Sequence, residues 1–149
     1  MSLEELYREV ILDHYRNPRN RAPLDAADAE ADGVNPLCGD EIHLELAFDG
    51  DVVSGVSITG QGCSISQSSA SMMSEAIKGK SRDEIAALNE RFRAMMDLDS
   101  DAATVELDSD TPGSVLGDLE ALQGVRNYPV RIKCANLSWT TLQEALSGN

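Results

Sequence analysis

Two alternating segments flank the dipeptide Asp49-Gly50 and constrain the chain more than any other feature. In residues 41–48 (EIHLELAF), Ile42, Leu44, Leu46 and Phe48 fall on one side, with His43 and Glu45 on the other. That two-residue period is the pattern of a half-buried strand. Residues 52–59 (VVSGVSIT) alternate again, and Asp-Gly between two such runs is a strong hairpin signal. Gly60-Gln61-Gly62 breaks the second strand. A lone hairpin is marginal in water, so other elements must cover its apolar side.

The rest of the chain supplies helices. Leu3, Leu6, Tyr7, Val10, Ile11 and His14 recur at helical spacing and predict a helix over 3–16. Ser2 can cap it, with Glu5 three residues on. Asn17-Pro18 ends it, because the residue before proline is pushed out of helical angles. Residues 17–37 read as a loop rich in Pro, Asn, Asp and Ala. Helices are predicted over about 64–78, with Gly79 as a natural stop, and from Ser81, whose capping box is completed by Glu84, to about Met96. The acidic, turn-rich stretch at about 97–113 reads as an exposed loop or insertion. A short helical turn is predicted at 115–123, and a last helix from Pro129 to about Leu146. This order predicts an α+β fold. A small antiparallel sheet, a β-hairpin plus a short strand, carries helices packed on one face, in one domain over 1–149.

Charge narrows the function. The chain carries 26 acidic and 12 basic residues, a formal charge of −14. Such a surface repels a phosphate backbone and an anionic bilayer, which argues against nucleic acid and membrane as partners. No apolar run is long enough to span a bilayer, and the acidic N-terminus lacks an apolar signal core. The expected location is cytoplasmic. Three cysteines make a poor disulfide framework and suit reduced thiols there.

The chemistry sits in Cys38-Gly39-Asp40, Cys63 and Cys134. Cys38 precedes the first strand of the hairpin and Cys63 follows the second, so an antiparallel pairing brings them to the same end. Gly39 lets the backbone bend, and Asp40 can turn its carboxylate toward the same point. Cys134 must come from the last helix. If that helix packs on the sheet, three thiolates and a carboxylate converge, a set that suits tetrahedral zinc in type and number. Cys63, just before a helix, gains from free N–H groups and the positive end of the helix dipole. From spacing alone the signal for a metal is weak, and the stronger reading is that the cysteines are small buried hydrophobes. The chain has no C-x-x-C, H-x-x-H or H-E-x-x-H. The Gly-flanked settings of Cys38 and Cys63 favour ligands.

Four segments carry a family resemblance: Asp13-His14-Tyr15-Arg16-Asn17-Pro18-Arg19-Asn20, Asn35-Pro36-Leu37-Cys38-Gly39-Asp40, Gly60-Gln61-Gly62-Cys63-Ser64-Ile65-Ser66, and Arg131-Ile132-Lys133-Cys134-Ala135-Asn136-Leu137-Ser138-Trp139. In this order they resemble the SufU/IscU-type iron–sulfur cluster assembly family. The scaffold branch has His before its third Cys and a tandem-proline chaperone motif just upstream, where this chain has Lys133 and Tyr128-Pro129. The chain is therefore similar to the SufU-like branch, whose extra insertion the 97–113 stretch resembles. The resemblance implies zinc bound by Cys38, Asp40, Cys63 and Cys134, with Cys38 as acceptor of persulfide sulfur from a SufS-type cysteine desulfurase. Arg131 is implied to assist ligand exchange at the metal. A downstream iron–sulfur scaffold or another thiol would take the sulfur on. The alternative is a scaffold carrying a transient iron–sulfur cluster.

Other candidates read as structural. His14 lies on an apolar helix face, and His43 on the polar side of its strand with no assigned role. The serines at 64–71 suit close helix packing, and Met72, Met73, Met95 and Met96 suit a core or interface. Tyr7, Val10 and Ile11 fit either core packing or a partner surface.

Overall fold

The computed structural model describes residues 3–36, 39–96 and 116–147. Its elements are α1 (Leu3–Arg16), β1 (Ala29–Asn35), β2 (Asp40–Asp49), β3 (Val52–Gln61), α2 (Ser64–Ile77), α3 (Arg82–Met95), a 3-10 helix (Gly117–Asn127) and α4 (Pro129–Ser147). The Ser2 cap and the acidic 97–113 stretch lie outside the described residues.

The three strands form one antiparallel sheet in the order β1-β2-β3. The hairpin forms as expected, with Leu44 opposite Ile58 and Leu46 opposite Val56. A register shift between Ala47 and Phe48 interrupts the alternation, and such bulges bend a strand. Phe48 is only half-buried there, with the Arg82 guanidinium 4.3 Å above its ring.

One expectation needs correction. The segment read as a loop over 17–37 contains β1, which pairs with β2 from Ala29 opposite Leu46 to Asn35 opposite Asp40. Its sequence, AEADGVN, has small residues where a strand normally shows branched or aromatic ones. The packing explains the choice. α4 crosses β1 and β2, and α2 lies against β3 and α4. A Cβ on Gly33 would overlap Thr141 Oγ1 and come within 3.2 Å of Leu137 Cδ1. The small residues are the cost of letting α4 approach.

The core lies between sheet and helices. Ile42, Leu44, Leu46, Val56 and Ile58 meet Met72, Met73, Ile77, Trp139 and Leu142. Met95 and Met96 are buried with them, so the methionines are core. Trp139 stacks on Phe92 with ring centroids 5.1 Å apart, which ties α3 to α4. The serines of α2 allow the tight packing expected of them, and Ser69 Oγ donates to Ala135 O of α4 at 2.6 Å. The capping box of α3 is present in both directions, Ser81 Oγ accepting from Glu84 N–H and Glu84 Oε1 from Ser81 N–H. Those bonds to Ser81 hold the Glu84 carboxyl below its ordinary range.

His14 is structural, as its helical position suggests. It is fully buried, with Nδ1 2.8 Å from Ser71 Oγ and Nε2 2.8 Å from Asp118 Oδ2. His14, Glu75 and Asp118 gather three ligand-type atoms. Both imidazole nitrogens are already hydrogen-bonded, and Arg19 Nε lies 3.5 Å from Glu75. The trio anchors α1 to α2 and the 3-10 helix.

Candidate metal centre

Strand periodicity places Asp40. It shares the face of Ile42, Leu44 and Leu46, so its carboxylate points under the helices and is fully buried. A buried carboxylate needs partners. The Cys63 N–H donates to Asp40 Oδ1 at 2.9 Å. That bond closes the far end of the β2–β3 hairpin, as the sequence reading requires. Oδ2 remains free of this bond and lies 4.0 Å from Cys63 Sγ. Asp40 is thereby set to offer one oxygen to a cation.

The approach is possible because residue 62 is glycine. Gly62 has φ +150, and a Cβ there would overlap Asp40 Oδ1 and lie 2.9 Å from Asp40 Cα.

Cys63 is the N-cap of α2, with extended backbone angles of φ −70 and ψ 166. Its Sγ accepts from Ser66 N–H at 3.4 Å. A thiolate here faces a free helix N–H and the positive end of the helix dipole, which stabilise negative charge.

Cys134 comes from the second turn of α4 and is fully buried. Its Sγ donates to Val130 O at 3.7 Å and accepts from Asn35 Nδ2 at 3.8 Å. Arg131 and Lys133 are exposed on the same stretch of helix. Arg131 precedes Cys134 by three residues, close to one helical turn.

The ligand atoms of Asp40, Cys63 and Cys134 all lie within 4.8 Å of one another. A strand start, a helix cap and a second helix thus converge. Two soft sulfurs and one hard oxygen make a donor set suited to zinc and unsuited to calcium or magnesium. Cys38, the fourth expected ligand, lies outside the described residues. It belongs to the short connection between Asn35 and Asp40, which face each other in the β1–β2 register.

Sequence reasoning missed two residues of this centre. Asn35 was read only as part of a motif, yet it reaches Cys134. Gly62 was read as a strand breaker, yet it makes room for Asp40. His43 takes no part: it sits on the outer face between Asp32 and Glu45, 2.8 and 3.1 Å away. The hydrogen bond to Asp32 raises its pKa, burial opposes the rise, and the Glu45 bond adds to it.

The family model for the NifU-like N-terminal domain matches residues 6–146. The chain belongs to this family. Among its relatives, the zinc-dependent sulfurtransferase SufU of Bacillus subtilis is 44% identical over 146 residues, covering 98% of this chain and 92% of the relative. The iron–sulfur cluster assembly scaffold protein IscU of Streptococcus pyogenes is 39% identical over 144 residues, covering 97% and 84%. Among solved structures, a putative iron–sulfur cluster assembly scaffold protein for the SUF system from Fervidobacterium islandicum superposes with a TM-score of 0.80 at 34% identity, covering 97% of this chain and 99% of that one. The SufU/IscU-type resemblance read from four motifs therefore holds along nearly the whole chain, and so does the α+β fold.

Proposed function

We propose that the chain is a zinc-dependent sulfur acceptor for a SufS-type cysteine desulfurase in iron–sulfur cluster assembly. In this reading it is one SufU/IscU-like domain over 1–149, with 97–113 as its insertion, working in the cytoplasm. The observation that carries the reading is the convergence of Asp40, Cys63 and Cys134 within 4.8 Å. The zinc-dependent relative in Bacillus subtilis supports it.

Cys38, Asp40, Cys63 and Cys134 would hold the zinc. Bound zinc would supply positive charge that keeps the cysteines as thiolates at neutral pH. The chain's own residues do the rest. Asp40 presents a single oxygen, because its other one is occupied by the Cys63 N–H. Cys38 thiolate attacks the terminal sulfur of the desulfurase persulfide. A sulfur–sulfur bond forms on Cys38, the bond in the desulfurase persulfide breaks, and the desulfurase cysteine leaves as thiolate. No electrons are gained or lost overall. Arg131, exposed on α4 three residues before Cys134, would assist ligand exchange at the metal. Val34 near the end of β1, Tyr128 just before α4 and Val130 at its start stand exposed. They give the desulfurase an apolar surface to dock on. The sulfur then passes to a downstream scaffold or another thiol.

A second reading, a scaffold that builds and passes on a cluster, is favoured by the relatives named IscU. Lys133 in place of the scaffold branch's histidine counts against it.

The test is desulfurase turnover with and without the zinc-loaded protein, alongside Cys38→Ala. Stimulation that disappears in the variant is the expected result. No stimulation by the parent protein, together with a stable and transferable cluster after anaerobic reconstitution, would replace this reading with the scaffold one.

A further inference from the structure

Asn35 ends β1 directly opposite Asp40. Both are buried, on the sheet face that α4 covers. From this position Asn35 Nδ2 donates to Cys134 Sγ at 3.8 Å, across 99 residues of sequence. The bond from Cys134 Sγ to Val130 O uses the sulfur's own proton. A metal-bound thiolate has no such proton. The Asn35 bond, in contrast, strengthens when the sulfur is charged. The Asn35 bond therefore survives, and gains strength, when the sulfur becomes a metal-bound thiolate, whereas the Val130 bond is given up.

An amide N–H on a thiolate draws electron density from it. The sulfur keeps its charge and its place but becomes a poorer nucleophile. Cys63 is treated alike, with Ser66 N–H on its Sγ at 3.4 Å.

We propose that Asn35 is a positioning residue of the metal centre: its hydrogen bond fixes Cys134 as a permanent ligand of low nucleophilicity and leaves exchange to another thiolate. This rests on the zinc-centre reading above. Asn35 is neutral, so it orients and damps the sulfur without altering the charge balance around the cation. Outer partners of this kind strongly affect metal sites, and losing one costs about 10- to 100-fold in affinity.

The test substitutes cobalt(II) anaerobically into the parent protein, Asn35→Leu and Asn35→Ala. Leu keeps the size and removes the donor, and Ala removes the donor without adding bulk, so one variant can fail to fold without ending the test. Far-UV circular dichroism selects the folded variants. The parent protein is expected to bind one cobalt per chain and to show a sulfur-to-cobalt charge-transfer band. In a folded variant the band should move to longer wavelength, because the sulfur lone pairs rise in energy once the N–H is gone. Affinity should fall about 10-fold or more, and iodoacetamide should modify Cys134 faster, read by peptide mass spectrometry. A folded variant with an unmoved band and affinity within about twofold would overturn the role of Asn35 and leave the metal centre intact. A parent protein that binds neither cobalt nor zinc would overturn both.

Discussion

Gly62→Ala tests whether the fit of Asp40 under residue 62 builds the centre. Gly62 has φ +150, where a side chain is strained, at a cost of about 1–3 kcal/mol. The new Cβ would also lie 2.9 Å from Asp40 Cα and 3.0 Å from Asp40 Cγ, so the carboxylate must move. Moving it breaks the 2.9 Å bond from Cys63 N–H to a fully buried carboxylate. Hydrogen bonds to charged groups contribute about 1.5–3 kcal/mol. Gly79→Ala is the matched control, because Gly79 has φ +82 with nothing within 4 Å of its would-be Cβ. It carries a milder positive-φ strain and no clash. Gly62→Ala should therefore be less stable than Gly79→Ala by about 1.5–3 kcal/mol. For a chain of this size that is about 3–12 °C in Tm, measured by calorimetry on metal-free protein. Zinc affinity, by chelator competition, should fall in Gly62→Ala and hold in Gly79→Ala. Equal melting points and equal affinities would refute the claim that this contact seats Asp40.

In the proposed four-ligand centre, Asp40→Ala would remove the lone oxygen ligand and leave three cysteines. Zinc should stay at one per chain while desulfurase stimulation drops, and loss of both metal and fold would show that Asp40 is structural instead. Ser69→Ala removes the 2.6 Å donor to Ala135 O between α2 and α4. It should cost about 1–3 kcal/mol by chemical denaturation, and a loss well under that would mean the helices repack around the gap. The raised pKa of His43 makes a pH-dependent prediction. Its contribution is complete below the ordinary value of 6.5 and fades as pH rises through the raised folded value. The Tm difference between parent and His43→Gln should therefore shrink from mildly acidic to alkaline pH. A difference that grows with pH would contradict the pairing with Asp32.

Local pattern made much of this protein legible. The period of two around Asp49-Gly50 specifies the hairpin, because only one register keeps Ile42, Leu44 and Leu46 out of water. Helix starts and stops were equally readable, since Ser81 with Glu84 and the Asn17-Pro18 step act over three or four residues. The ends of that hairpin also point Cys38 and Cys63 to one place, with the Asp40 carboxylate able to turn there, and the structure joins Asp40 to Cys63 through an N–H to carboxylate bond.

Tertiary structure decided what depends on distant neighbours. β1 was invisible as a strand because its residues are small, and at Gly33 the closeness of α4 leaves no room for a side chain, which strand propensity does not register. Spacing left the cysteines open between ligands and buried hydrophobes, because a thiol's role is set by what lies across from it. The packing of α4 on the sheet settles the geometry by bringing Cys134 to Asp40 and Cys63. It also brings Asn35 to Cys134. Nothing local predicts that bond, since it joins a strand end and a helix that meet only when the core closes.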